Sequence, residues 1–443
     1  MKRSINPYHV YRNALPIGTG LFFIMFASLA VSCTKHVGTS GDPAPPKDST
    51  SKTDSLPSTS TRTGDIVGKL IVGYQGWFGA PGDHSPFNGW RHWSGTGAPS
   101  QGNETFELWP DMREYTASYP TGYDSLGNGL PAKLFSSWDD QSVNLHFKWM
   151  KQYGIDCAAI QRFGSHMADD PRDKNFKNGL LQKERTAAEN NQVKFFVWYD
   201  ISGWNDFQAA IKTDWTETVS PDTSSVMYAH QDGKPVVCIW GIGVEGRPGD
   251  VNSYSDVINF FKDQGCYVII GTERGWLGET DYLATFKLAD MISPWSVGTF
   301  HDESGADNYA SVMQGDLAFC QANGQDYLPV VFPGFSWSNW HSGAPKNEIP
   351  RMHGDFMWRQ FANLRKLKIS NAFVAMFDEY DEGTAIAKAA ENTTMIPADQ
   401  YFLTLDADGV AVSSDFYLRL TEDGAKMLKQ ETELTWQEPT SFK

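Results

Sequence analysis

Between Leu70 and Glu379 the chain repeats one pattern eight times: a short apolar run, then a longer amphipathic or loop-rich stretch. The apolar runs occupy residues 70–75, 155–163, 194–200, 235–240, 267–271, 290–295, 327–333 and 371–379. Runs of this kind, apolar on consecutive positions, mark strands buried on both faces of a parallel sheet. Helical spacing between them is clearest at Val143, Leu145, Phe147, Trp149 and Met150, and it recurs over 174–190, 255–264, 309–322 and 356–367. Eight strands with helical or long-loop crossovers predict an α/β fold, a single (β/α)8 TIM barrel. A doubly wound sheet is the alternative, but no glycine-rich phosphate fingerprint follows the first run. Residues 401–443 hold one more amphipathic helix, 416–428, expected as a C-terminal helical extension on the outside of the barrel.

Barrels place their chemistry at the C-terminal ends of the strands. The last run ends in Asp378-Glu379-Tyr380-Asp381-Glu382, four acids within five positions. On a continuous strand Glu379 and Glu382 would face opposite sides. A turn at Tyr380-Asp381, eased by Gly383, would let both face one cavity. Two close carboxyls in different environments can divide acid and base roles, which is the equipment of a glycosidase. A solvated acidic loop leading to a helix N-cap is the plain alternative. The other strand ends supply Tyr74 and Gln75, Gln161 and Arg162, Asp200, Trp240, Glu273 and Arg274, and Trp295. Indole faces stack on the apolar face of a sugar while Arg, Asp and Gln bond its hydroxyls. Each of these residues, taken singly, also suits packing or a structural ion pair. The loops after the first and seventh runs carry Trp77, Phe78, Trp90, His92 and Trp93, then Phe335, Trp337, Trp340 and His341. Such loops suit extended carbohydrate subsites, or a cluster that merely closes the barrel top.

An apolar run from Leu21 to Val31 follows Lys2, Arg3 and Arg12. It is too short for a membrane-spanning helix and reads as a secretory signal over residues 1–32. Leu29-Ala30-Val31-Ser32-Cys33 resembles the lipobox of bacterial lipoproteins, which implies lipidation of Cys33 and a place in the bacterial cell envelope. Residues 33–64 are rich in Ser, Thr, Pro, Gly and Asp without one aromatic residue, the composition of a flexible tether; the folded domain is expected over 65–443. Removing the first 32 residues, which hold three basic side chains and no acid, leaves 34 basic against 53 acidic residues, net −19. That charge repels nucleic acid and anionic lipid surfaces, so any membrane contact is expected only through the N-terminal lipid. Cys157, Cys238, Cys266 and Cys320 have no zinc spacing and are expected as free buried thiols. No HxxxH, HExxH or GxSxG pattern occurs, so neither a metal, a cofactor nor a serine triad is expected.

Phe377-Asp378-Glu379-Tyr380-Asp381-Glu382-Gly383-Thr384 resembles the F-N-E-W-x-E-G-T motif of the glycoside hydrolase family 99 endo-α-mannanases and their family 71/99-like relatives. Gly73-Tyr74-Gln75-Gly76-Trp77-Phe78-Gly79 with Arg91-His92-Trp93, the segment 146–155, and Tyr417-Leu418-Arg419-Leu420-Thr421 resemble other parts of that family in the same order. The resemblance implies an endo-acting, retaining glycosidase on α-linked, mannan-like poly- or oligosaccharides, and the protein is expected to act as a monomer. By the same resemblance Glu379 would deprotonate the sugar 2-hydroxyl to form a 1,2-anhydro intermediate, and Glu382 would be the general acid/base. The chain departs from the motif at Asp378 and Tyr380 and adds an acid at Asp381. Two other readings keep the fold: a non-catalytic glycan-binding lipoprotein on a degenerate barrel, and an inverting α-glucanase like family 71.

Overall fold

A computed structural model describes residues 64–168 and 170–443. The signal segment, Cys33 and the tether up to residue 63 lie outside the described residues. Eight parallel strands form the barrel wall: β1 (Leu70–Tyr74), β2 (Cys157–Phe163), β3 (Lys194–Asp200), β4 (Lys234–Trp240), β5 (Tyr267–Glu273), β6 (Met291–Trp295), β7 and β8 (Ala372–Val374). β7 comes in two pieces, Asp326–Tyr327 and Val330–Val331. The first pairs with β6 and the second with β8, and β8 pairs with β1, so the sheet closes on itself. Pro329 stands between the pieces with no N–H to give a ladder, although its carbonyl still accepts from Phe373 N at 2.9 Å.

Helices α1 (Asp140–Gln152), α2 (Pro171–Asn191), α3 (Phe207–Asp214), α4 (Val251–Asp263), α5 (Glu303–Ala322) and α6 (Asp355–Lys366) cover the wall. Their starts are chemically marked. Asp170 accepts from Arg172 N ahead of Pro171, Asp250 and Ser253 form a capping box, and Asp302 accepts from Gly305 N. Between β5 and β6 only a short helix, Leu283–Phe286, replaces a full crossover. The C-terminal helix α7 (Phe416–Leu428) lies outside the barrel, as its apolar stripe predicts, and takes the place of an eighth barrel helix. It packs against α6 so closely that a Cβ at Gly424 would lie 2.6 Å from the Phe361 ring. At its two ends Asp415 accepts from Tyr153 Oη at 2.8 Å and Lys429 pairs with Asp156 at 2.7 Å.

One expectation needs correcting. The eighth strand does not run to residue 379; its ladder stops at Val374. Beyond it Phe377 N still donates to Gly73 O at 2.8 Å, but Met376 and Phe377 now also bond to the returning chain at Thr384, Ile386 and Ala387. The acids therefore stand on a turn above the barrel wall. The four cysteines are buried and free.

Candidate active site

The turn Glu379–Thr384 is fixed from three sides. Tyr380, fully buried, packs edge-on against Phe78 and Phe135 and lies 6.0 Å from Trp93. Its carbonyl accepts from Glu107 N at 2.9 Å and Leu108 N at 3.0 Å, both from the long loop after β1. From the loop after β7, Ser336 N donates to Glu382 O at 3.0 Å. Arg351 caps Gly383 O and Ala385 O at 2.8 and 2.7 Å. Gly383 has φ +63°, and a Cβ there would approach Ser336 O to 3.0 Å, so the turn requires glycine.

This geometry puts the two glutamates in different surroundings. Glu379 is only 5% exposed, and its Oε1 accepts from Gln75 Nε2 and its Oε2 from Thr384 Oγ1, each at 2.8 Å. Burial outweighs those two bonds and, with the Asp378 charge adding to it, raises its pKa to about 7. Glu382 is half-buried, and among the described residues no hydrogen bond reaches its carboxyl. Burial and the Glu379 charge push it well above the ordinary carboxylate range. Between them in sequence, Asp381 is buried and likewise raised by burial and by both glutamates. Asp381 Oδ2 lies 3.2 Å from His92 Nδ1, and His92 Nε2 lies 3.3 Å from His166 Nε2. His92 stacks flat on Trp77 with ring centroids 4.0 Å apart. Both histidines are held neutral, chiefly by burial and then by the Arg91 charge.

The strand-end candidates divide by the side of the wall they occupy. Gln75 reaches Glu379 from β1's end. Its neighbour Tyr74 points the other way, with its hydroxyl 2.9 Å from His146 Nδ1 on α1. Arg162 also turns outward and is locked to Asp214 by two bonds of 2.9 and 2.5 Å, while Gln161 on the same strand takes the opposite face. Tyr74 and Arg162 are therefore held by the wall and the helices rather than presented to a sugar. The same correction applies to Trp93, which is fully buried, stacked 3.8 Å from Phe78, and bonded through Nε1 to Phe135 O at 3.0 Å. On the far side of the mouth Asp200 and Trp240 are register partners on β3 and β4, and Glu273 and Trp295 on β5 and β6. Asp200 accepts from Ser202 N at 2.7 Å. Trp240 and Trp295 meet edge-on at 6.2 Å, Arg247 lies 5.0 Å over the Trp240 ring, and Trp240 Nε1 is buried without a partner. A Cβ at Gly271 would come within 2.2 Å of Trp240, so glycine on β5 makes room for that indole. Glu273 is half-buried, Arg274 is exposed, and Trp340 is half-buried 4.9 Å from His341.

Sequence reasoning passed over several residues that build the site. Thr384 holds Glu379, and His166 extends the His92 contact. Glu107 ties the loop after β1 to the loop after β7 through Ser336, Ser338 and Asn339 at 2.7–2.9 Å. Only Thr384, five residues from Glu379, offered a local signal. Among the described residues no group of three or more His, Cys, Asp or Glu side chains is placed to hold a metal ion.

No family model matches the chain. A mouse protein described as glycoprotein endo-alpha-1,2-mannosidase-like protein is 22% identical over 385 residues, covering 83% of this chain and 78% of the mouse one. The solved GH99 endo-alpha-mannosidase of Bacteroides thetaiotaomicron superposes with a TM-score of 0.60 at 14% identity, over 82% of this chain and 98% of that one. A second structure of that enzyme, in complex with bis-tris propane, gives 0.59 at 15% identity with the same coverage. The chain shares the fold of that enzyme and is similar in sequence to the mouse protein. It departs at Asp378 from the motif that residues 377–384 resemble. Asp378 stands where the motif has Asn, and its two oxygens accept from Gln75 N at 2.7 Å and Gly76 N at 2.9 Å. An Asn side chain would present one acceptor oxygen and an NH2 group there, so receiving the two N–H groups on separate oxygens needs the carboxylate.

Proposed function

We propose that this protein is a glycosidase that cleaves within α-linked, mannan-like glycans with retention of configuration, using Glu379 and Glu382. One observation carries the reading: two close carboxyls stand in unlike environments, one gripped by two donors and one half-buried without a partner. The grip favours ionised Glu379, whereas nothing but burial and a like charge acts on Glu382, which favours its protonated form.

In the first step Glu379 takes the proton of the sugar 2-hydroxyl as that oxygen attacks the anomeric carbon. Glu382 gives its proton to the departing glycosidic oxygen, leaving a 1,2-anhydro sugar. In the second step Glu382 takes a proton from the incoming water, the bond from the anomeric carbon to O2 breaks, and Glu379 returns its proton to O2. Both carboxyls end as they began. Half-buried Trp295 supplies a face for a further sugar unit, with half-buried Glu273 beside it as a hydroxyl partner.

Turnover on this scheme needs Glu379 ionised and Glu382 protonated. Activity therefore falls as pH drops through the Glu379 value of about 7 and falls again once rising pH ionises Glu382, whose pKa burial and the Glu379 charge push up. Incubation with defined α-mannans, α-glucans and arabinoxylans, with products read by mass, tests the substrate. Release of oligosaccharides from α-mannan is expected, and cleavage of only the other polymers would overturn the choice of sugar. We also propose that Cys33 carries a lipid and holds the enzyme in the cell envelope by its tether.

A further inference from the structure

Beneath the carboxyl pair lies a buried polar assembly that the reaction scheme does not use. It centres on Gln75, whose main-chain N–H, carbonyl and side-chain amide are each bonded, while its Oε1 is buried without a partner. Asp378 Oδ1 accepts from Gln75 N at 2.7 Å and Asp378 Oδ2 from Gly76 N at 2.9 Å. From the opposite side Lys177 Nζ, on α2, donates to Gln75 O at 2.7 Å. The side-chain amide then donates to Glu379 Oε1 at 2.8 Å. Lys177 is 2% exposed and Asp378 fully buried, and burying such groups is costly unless the contact they make is needed. A plain barrel wall would fill these places with apolar side chains.

We propose that Lys177 and Asp378 are positioning residues that clamp the Gln75 backbone from two sides and so aim its amide at Glu379. The inference rests on the reading of Glu379 as the catalytic base. Around the clamp, Lys177 is faced by Glu184 from its own helix, Arg162 from β2 and Arg91 from the loop after β1, while Glu379 is faced by Asp378, Asp381 and Glu382. Lys177 and Glu184 are driven toward neutrality by burial, and a neutral amine still donates to Gln75 O.

The test is a double-mutant cycle between Lys177→Met and Gln75→Leu. Gln75→Leu removes the amide and should lower kcat about tenfold to a hundredfold. Lys177→Met, which keeps the length of the side chain and removes the donor, should lower kcat at least about tenfold with KM within about twofold. Because the lysine acts only through Gln75, the double variant should be no slower than Gln75→Leu alone. Losses that multiply, or a Lys177→Met enzyme with wild-type kcat, would overturn the proposal. Should Lys177→Met fail to fold, Asp378→Asn runs the cycle instead, with kcat read at a pH where Glu379 is ionised in every variant so that the direct effect of the Asp378 charge on its titration does not enter. A readout independent of turnover separates this proposal from the function it rests on. Difference infrared titration of the Glu379 carboxyl, assigned with Glu379→Gln, should show its midpoint rising in Gln75→Leu and Lys177→Met alike, because the first removes the amide's bond to the ionised form and the second leaves that amide unaimed. An unmoved midpoint in Lys177→Met refutes the clamp whether or not any glycan is cleaved; absence of hydrolysis with a moved midpoint refutes only the glycosidase reading.

Discussion

Asp381 is the side chain that most complicates the charge of the site. It is 1% exposed, its Oδ2 meets His92 at 3.2 Å, and its Oδ1 is buried without a partner. An ionised carboxylate with one orphaned oxygen, beside two glutamates, is the costlier state. Burial and the two glutamates thus push Asp381 toward its protonated form, in which it would donate to His92 Nδ1. Asp381→Asn keeps a neutral donor there and should hold kcat within about threefold with both pH limbs in place, as a rate profile would record. A limb displaced by more than about half a pH unit would show that Asp381 is charged in the working enzyme. At this scale the sequence was legible only in part. The period of two along a strand separates Gln75, facing in, from Tyr74, facing out, and likewise Gln161 from Arg162. Nothing local announces that Asp381 meets His92, 289 positions away, or that Lys177 reaches the carbonyl of Gln75.

Among elements, the long loop after β1 behaves as a second core and the opposite rim as an open surface. Trp93 lies inside that core among Phe78, Phe106, Phe135 and Tyr380. Trp93→Ala should lose about 3–5 kcal/mol of stability, seen as a lower melting temperature, with activity lost in step on glycans of every length. Trp295→Ala on the rim should leave the melting temperature nearly unchanged and raise KM for long glycans more than for short ones, since stacking on one aromatic face contributes only about 1 kcal/mol. Equal melting temperatures for the two variants would contradict this division. The strands and most helices were readable from apolar runs because a parallel barrel buries both faces of each strand. The early end of β8 and the break in β7 were not, because each depends on which neighbour a backbone group finds. Phe377 bonds to Gly73 on β1, for instance. For the tryptophans the sequence left two readings open, because composition locates aromatic residues near the mouth but burial decides between platform and packing.

At the scale of the whole molecule, a chain of net charge −16 carries a barrel fold and a turn with four acids, and we propose that its Cys33 is lipidated. Among the described residues no helix is long and apolar enough to cross a membrane; the attachment we propose is through Cys33. Cys33→Ser should move the protein from the membrane fraction to the soluble one or leave it unprocessed; an N-terminal peptide without lipid mass would refute the anchor. The central claim is the division of labour between two glutamates on one turn, and leaving-group dependence tests it most directly. Glu379→Gln, Glu382→Gln and wild type should be compared on a natural α-linked glycan and on a glycoside with a dinitrophenolate leaving group, which needs no protonation. Glu382→Gln should lose about a hundredfold or more on the glycan and less than about tenfold on the activated substrate, while Glu379→Gln stays about a hundredfold or more slower on both. Equal losses for the two variants on both substrates, or a double Gln variant that still hydrolyses the glycan at the wild-type rate, would contradict the account.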